Sequence, residues 1–270
     1  MSATDSITLE YQGRVAVITL CNEKKLNALS PDLYYHIANL LREISTHDEV
    51  YVTLFIGKGR FFSAGADVTG GRGVPAGEDE RRYWLRAFSA NNLDVTRAFY
   101  THPKILVTGL NGPVVGLTAA LIAMSDFIYA MPHTFLLTPF SSLGLVTEGG
   151  ASYSFVQRLG ISKANEALIM SKRITASELA QAGFVNKVID TGNDDVKFRE
   201  AVMHEIHDRL GDHLNSASLL KIKALIRKPE REVLETQNVA EVFGGLERFA
   251  AGIPQEEFRK IASGEKRHKL

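Results

Sequence analysis

Glu148 is the acid of "LGLVTEGG" (143–150), flanked by Leu143, Leu145 and Val146 on one side and two glycines on the other. An ionised carboxylate is costly to desolvate without a partner. An acid in such a stretch either favours a helix start or takes and returns protons. Two other stretches could receive a ligand. "GKGRFFSAGADV" (57–68) ends in the small residues Ser63-Ala64-Gly65-Ala66-Asp67, which let a ligand approach the backbone; a plain glycine turn fits the same residues. "NGPVVGLTAALIAMSD" (111–126) places Gly116 ahead of a helix beginning near Leu117. First-turn amides lack intrahelical acceptors and lie at the positive end of the helix dipole, where a carbonyl oxygen gaining negative charge is stabilised. A buried helix with a tight entry is the alternative, since Ala119, Ala120 and Ala123 suit close packing. Asn92, in "SANNLDVTRAF", is a candidate to orient the carboxylate through its amide, or an ordinary polar helix residue. Asp67 is read as positioning its loop.

These pieces must be held by regular elements. "RVAVITL" (14–20), "YVTLFIG" (51–57), "ILVTGL" (105–110), "DFIYAM" (126–131) and "TFLLTP" (134–139) read as strands. "LSPDLYYHIANLLREIS" reads as a helix with Ser30 as N-cap and Pro31 at its first position. A helix is expected from Tyr83 to Tyr100, another over 117–125, and one after the capping-box signal Thr175–Glu178. From about Asp194 the pattern is helical throughout. The chain therefore reads as an α/β core followed by a helical region.

The 270 residues carry 31 basic and 31 acidic side chains and 45% hydrophobic content, which suits a large globular domain. The zero formal charge gives no global reason to bind nucleic acid or an anionic membrane. A lone cysteine, Cys21, excludes an intrachain disulfide and a cysteine-based metal cage. The eight histidines show no triad or metal spacing. Gly71 to Ala76 formally fits G-x-G-x-x-A, but Pro75 interrupts the turn and no strand leads directly into it. The polar start shows neither a signal core nor a transit pattern, and no run approaches a membrane span. The final His268-Lys269-Leu270 reads either as a solvated basic tail or as a variant of the Ser-Lys-Leu peroxisomal address.

In order and spacing, "LNALS" (26–30), "GRFFSAGADV", "GLNGPVVGLTAALIAMSD", "LGLVTEGG" and "RITASELAQAGFVNKVI" (173–189) resemble the crotonase (enoyl-CoA hydratase/isomerase) superfamily over nearly the whole chain. The resemblance implies an α/β spiral of ββα turns over 1–193, with acyl-CoA binding and catalysis. It also implies a C-terminal helical trimerisation region over 194–270, ending in the targeting tripeptide, and a homotrimer or homohexamer. It places an oxyanion hole at the N–H groups of Ala66 and Leu117, and lines the substrate path with Ala64, Gly65, Ala66, Asp67, Val68 and Leu117. The two carboxylates that activate water in hydratases of this family match Ala120 and Phe140 here, and a dehalogenase would want aspartate where Glu148 stands.

The lone glutamate resembles the Δ3-Δ2-enoyl-CoA isomerases, especially the fungal peroxisomal type. One carboxylate can remove the α proton of a 3-enoyl thioester and return a proton to the γ carbon, with no water to activate. That expectation makes Glu148 the proton shuttle, with Asn92 beside it. It calls for no cofactor, since coenzyme A is part of the substrate, and no metal. Expected partners are acyl-CoA and, through His268-Lys269-Leu270, the peroxisomal import receptor, with the peroxisomal matrix as location. Two alternatives remain open at this stage: a Δ3,5-Δ2,4-dienoyl-CoA isomerase, and a non-catalytic module that binds acyl-CoA or another protein.

Overall fold

The architecture, in a computed structural model that describes residues 6–67 and 73–266, is a stack of strand–strand–helix turns. Val68 and His268-Lys269-Leu270 lie outside the described residues. A six-stranded sheet has the order β1-β2-β3-β4-β6-β9, where β1 is Ile7–Gln12, β2 Val15–Leu20, β3 Val52–Gly57, β4 Ile105–Leu110, β6 Phe127–Ala130 and β9 Lys187–Val188. The β1–β2 pair is antiparallel and the remaining pairs are parallel. A smaller sheet joins β5 (Val114–Val115), β7 (Phe135–Leu137) and β8 (Ile174–Thr175). Single bridges extend that smaller layer backwards, from Val114 to Ser63 and from Ala66 to Leu29. Each turn of the chain thus adds one strand to the large sheet and one short extended segment to the small layer.

The strands β2, β3 and β4 are buried along their whole length because both faces of the large sheet are covered. Alternate residues serve different cores. Ala16, Ile18, Leu20 and Phe55 face the helices α1 (Pro31–Ser45) and α3 (Asn91–Thr101). Val15, Val17, Leu54 and Val107 meet Phe198, Val202, Ile206 and Leu210, one stripe of α7 (Asp195–Leu210). At the end of β3, Phe55 meets Phe62 edge-on at 5.1 Å between ring centroids. Such a pair adds about 0.5–1.5 kcal/mol beyond its burial and anchors the loop that follows.

The expected local signals are present. The Ser30 hydroxyl accepts from Leu33 N–H at 3.3 Å with Pro31 opening α1. Thr175 and Glu178 form a reciprocal capping box at the start of α6 (Ala176–Gln181). The helix expected from Tyr83 to Tyr100 is found, but not as one regular α-helix. A short α2 (Glu80–Trp84) widens into π turns over Leu85–Ala90 before α3. Asn91 Nδ2 donates to the Ala87 carbonyl at 3.1 Å, inside that widened stretch. The opening residues hold a strand, β1, that hydropathy does not single out: five of its six residues face solvent in part or wholly.

After residue 194 come α7, α8 (Ser216–Arg227), α9 (Arg231–Ala250) and α10 (Ile253–Ala262). Asn238, Glu241, Val242, Gly245, Leu246 and Phe249 of α9 are buried against the core. Among the described residues, no helix is long and apolar enough to cross a membrane, and no group of three His, Cys, Asp or Glu could hold a metal ion.

Candidate active site

Two loops of the spiral meet backbone to backbone. Gly65 has φ +86°, and a Cβ there would lie 2.9 Å from the Val115 carbonyl oxygen and 3.7 Å from Gly116 N. Only glycine permits both that dihedral and that approach. Leu29 N–H donates to the Gly65 carbonyl and Asp67 N–H donates to the Leu29 carbonyl, each at 2.9 Å. Residues 65 and 67 therefore pair with Leu29, which turns the intervening Ala66 amide to the opposite side. Leu117 sits in the first turn of α4 (Gly116–Ile122), where amides have no intrahelical acceptor.

A buried polar chain locks these two loops together. Ser63 Oγ donates to the Asn27 carbonyl at 2.8 Å and accepts from Gly65 N–H at 3.1 Å. It lies 3.3 Å from Thr118 Oγ1, which is 2.8 Å from the Tyr34 hydroxyl. Asn27 Nδ2 donates to the carbonyls of Lys58 and Phe61. Sequence reasoning passed over Asn27, Tyr34 and Thr118, and read Ser63 only as a small residue. The one local clue is a small hydroxyl residue in each of two small-residue motifs, Ser63 and Thr118.

The third motif packs onto the second. Gly149 has φ +72°, and a Cβ there would come within 2.7 Å of the Ala120 Cβ and 3.0 Å of Leu117 Cδ1. That contact sets the segment carrying Glu148 against α4, and Glu148 and Leu117 line the same cavity. On its other side Asn92, 4% exposed, donates from Nδ2 to Glu148 Oε2 at 2.7 Å. A hydrogen bond to a charged group of this kind is worth about 1.5–3 kcal/mol. It fixes the rotamer of the carboxylate.

Ala64, Gly65, Ala66, Asp67, Asn92, Leu117 and Glu148 all line one cavity of about 510 Å³. Its inner wall is apolar: Trp84 stacks on Phe249 at 4.5 Å, Phe88 meets Phe249 at 4.7 Å, and Phe258 and Ile261 of α10 complete the wall. Asp67 and Glu148 are the carboxylates among the described lining residues, and Asp67 is paired with Lys25 Nζ at 2.7 Å. The Ala120 side chain is fully buried beneath Gly149, and Phe140 forms part of the cavity wall. Neither side chain carries an acid that could activate water.

A second glutamate lies outside the cavity lining but close in the chain fold. Glu241 of α9, 4% exposed, accepts from Gly150 N–H at 2.7 Å and from Ser152 N–H at 2.8 Å. It thus caps α5 (Ala151–Leu168) from a distant helix. Burial pushes its carboxyl above the ordinary value, while its hydrogen bonds to Ser152, Gly150 and Thr147 pull the other way. Nothing in the local sequence around Glu241 marks it.

A stacked ββα spiral, with two loops meeting at one largely apolar cavity that holds a carboxylate, defines a fold of the crotonase type. The family model described as enoyl-CoA hydratase/isomerase matches residues 10–263, and the chain belongs to that family. A Δ(3,5)-Δ(2,4)-dienoyl-CoA isomerase of Pyricularia oryzae is 64% identical, over 97% of this chain and 98% of that protein. A 3,2-trans-enoyl-CoA isomerase of Saccharomyces cerevisiae is 32% identical, over 98% and 97%. The crystal structure of an enoyl-CoA hydratase/isomerase from Pseudoalteromonas atlantica superposes with a TM-score of 0.82 at 24% identity, covering 98% of this chain and all of that one.

Proposed function

We propose that the protein is an isomerase that moves the double bond of a 3-enoyl-CoA into conjugation with the thioester, in the β-oxidation of unsaturated fatty acids, with Glu148 as the proton shuttle. The observation that carries this reading is the Asn92–Glu148 hydrogen bond of 2.7 Å in a cavity whose other described carboxylate is tied to Lys25. Ionised Glu148 takes the C2 proton. The C2–H electron pair and the C3=C4 bond delocalise onto the thioester oxygen as a dienolate. The amides of Ala66 and Leu117 donate to that oxygen, and losing one such donor costs about 2.7–4 kcal/mol. The resulting Glu148 carboxylic acid then protonates C4, leaving C2=C3 and regenerating the carboxylate. Asn92 holds the carboxylate between the two carbons, and the apolar wall keeps water from the dienolate. Hydration is disfavoured by Ala120 and Phe140, which supply no second carboxylate.

The 64% identity to a protein named as a dienoyl-CoA isomerase favours a second reading, in which the substrate is a 3,5-dienoyl-CoA. Its proton must travel from C2 to C6, farther along the chain. The carboxylates of the described cavity lining are Glu148 and Asp67, and Asp67 is tied to Lys25. That lining supports the shorter transfer.

The test offers purified protein both substrates, following the absorbance of the 2-enoyl and 2,4-dienoyl thioesters and assaying for 3-hydroxy product. Conjugated 2-enoyl product, abolished in a folded Glu148→Gln variant, is the expected result. Turnover of the dienoyl substrate alone would establish the second reading. Binding of both without turnover would leave an acyl-CoA-binding module. We further propose that the chain works in the peroxisomal matrix as a homotrimer or homohexamer, addressed by His268-Lys269-Leu270. Removal of the tripeptide, followed by imaging, tests the address, and light scattering tests the assembly.

A further inference from the structure

The chemistry proposed for Glu148 needs its carboxylate held still, yet Glu148 sits in an irregular segment between a 3-10 turn and α5. What holds that segment is a carboxylate from the other end of the chain. Glu241 gathers donors from both sides of Glu148: the Thr147 hydroxyl before it, and the Gly150 and Ser152 amides after it. One oxygen takes the Gly150 amide and the other takes the Ser152 amide. A glutamine cannot reproduce this, because one of its two terminal atoms is itself a donor. An apolar residue would leave two buried N–H groups unpaired.

The same face of α9 also reaches the Asn92 side of the site. Asn238 Nδ2, three residues before Glu241, donates to the carbonyl of Leu93 at 3.2 Å. Gly245, four residues after it, takes the ring of Phe88, whose Cζ would lie 2.6 Å from a Cβ there. Positions 238, 241 and 245 fall on one helical stripe. A single rigid helix therefore touches the segments that carry both members of the Asn92–Glu148 pair.

We infer that Glu241 is a positioning residue for the reaction, fixing Glu148 relative to the two oxyanion donors from α9, and that Asn238 is its counterpart on the Asn92 side. The inference rests on Glu148 being the shuttle. It assigns Glu241 no contact with substrate. A buried anion bound only by backbone and hydroxyl donors is an expensive way to cap a helix, and the N-terminal dipole of α5 offsets part of that cost. Its use here is geometric: both carboxylate oxygens are engaged, so the segment cannot pivot about one bond.

The experiment compares wild type with Glu241→Gln and with the milder Thr147→Val, which removes one hydroxyl donor and leaves the buried acid in place. Steady-state kinetics use whichever unsaturated acyl-CoA the wild type turns over, and hydrogen exchange is followed over residues 147–153. The expected result for Glu241→Gln is a kcat lower by about 10- to 100-fold, the scale of a misplacement near 1 Å. KM should stay within about twofold, because the oxyanion loops are untouched. Exchange should rise over residues 147–153 and stay unchanged in β3 and β4. Thr147→Val should move the same quantities in the same direction by less. Proton transfer in D₂O adds a readout that global destabilisation does not move: a loosened shuttle incorporates more solvent deuterium at C4. Unchanged kcat, unchanged exchange over 147–153, or a raised KM with kcat intact would each overturn the inference. If Glu241→Gln does not fold, a silent Thr147→Val would overturn it. Failure of the wild type on 3-enoyl-CoA would remove the substrate reading alone. The exchange measurement with bound acyl-CoA still decides whether Glu241 holds the segment.

Discussion

Gly149→Ala is the sharpest perturbation of this site that adds only one carbon. The new Cβ would lie 2.7 Å from the Ala120 Cβ and 3.0 Å from Leu117 Cδ1, at a φ of +72°. The Leu117 methyl is the end of a flexible side chain and can rotate away. The Ala120 Cβ cannot, since it is fixed to the backbone of α4. Left-handed backbone at a non-glycine residue costs about 1–2 kcal/mol. Forcing an extra carbon into a packed core typically costs about 1–3 kcal/mol. If the segment holds its place, the variant loses about 2–5 kcal/mol of stability. If the segment yields instead, Glu148 moves with it, stability recovers in part, and kcat falls on the scale of about 100-fold per ångström. Urea melts at fixed protein concentration and steady-state kinetics, run on the same preparations, separate these outcomes. The Ala120→Gly background isolates the contact. It costs about 1 kcal/mol by itself in a helix, but it removes the 2.7 Å clash, so the double variant should be more stable than additivity predicts by about 1–3 kcal/mol. A Gly149→Ala protein with wild-type urea midpoint and wild-type kcat would refute the packing argument. A strictly additive double variant would refute the role given to Ala120.

Asn92→Ala should lower kcat by about 10- to 100-fold with little change in acyl-CoA affinity, the equivalent of about 1.5–3 kcal/mol for a charge-assisted hydrogen bond; equal losses in kcat and binding would place Asn92 in the substrate path instead. Gly65→Ala brings a Cβ to 2.9 Å from the Val115 carbonyl and should separate the two amide donors, lowering kcat/KM by about 100-fold or more, as read from initial rates at low substrate. Thr175→Ala removes the capping box of α6 and should cost about 1 kcal/mol in a urea melt with kcat unaffected. Glu178 is held at about 2, first by the Thr175 backbone N–H and then by Lys163. Because that value is lowered, its contribution to stability is present above the ordinary carboxylate value of 4.5 and is lost as pH falls from there toward 2. Solvent screening keeps it small. The stability difference between wild type and Glu178→Gln should therefore shrink across that window and be constant from pH 6 to 8, as melts at several pH values will show.

Much of the frame was legible because it is written locally. Ser30 and Pro31 cap α1, Thr175 and Glu178 box α6, and the uninterrupted apolar runs of β2, β3 and β4 mark strands covered on both faces. What escaped were elements whose stability is borrowed. β1 is mostly exposed and exists by pairing with β2. β5, β8 and β9 are two residues each and are held by their neighbours in the sheets. The π turns at Leu85–Ala90 have no sequence signature of their own.

The residue types at the site follow the same division. The sequence alone determined that a glutamate stands in an apolar, glycine-ended stretch, that two small-residue motifs precede it, and that the chain has the family's order of motifs, because composition and spacing are properties of the chain itself. Only the tertiary structure decided that Asn92, 56 residues away, donates to Glu148. It alone brought Gly65 against Val115 and Gly149 against Ala120, and Glu241 beneath Gly150. These are contacts between successive turns of a spiral and a returning helix. No local pattern encodes them, because their partners become neighbours only when the strands stack in register and the buried polar groups must find acceptors across the stack.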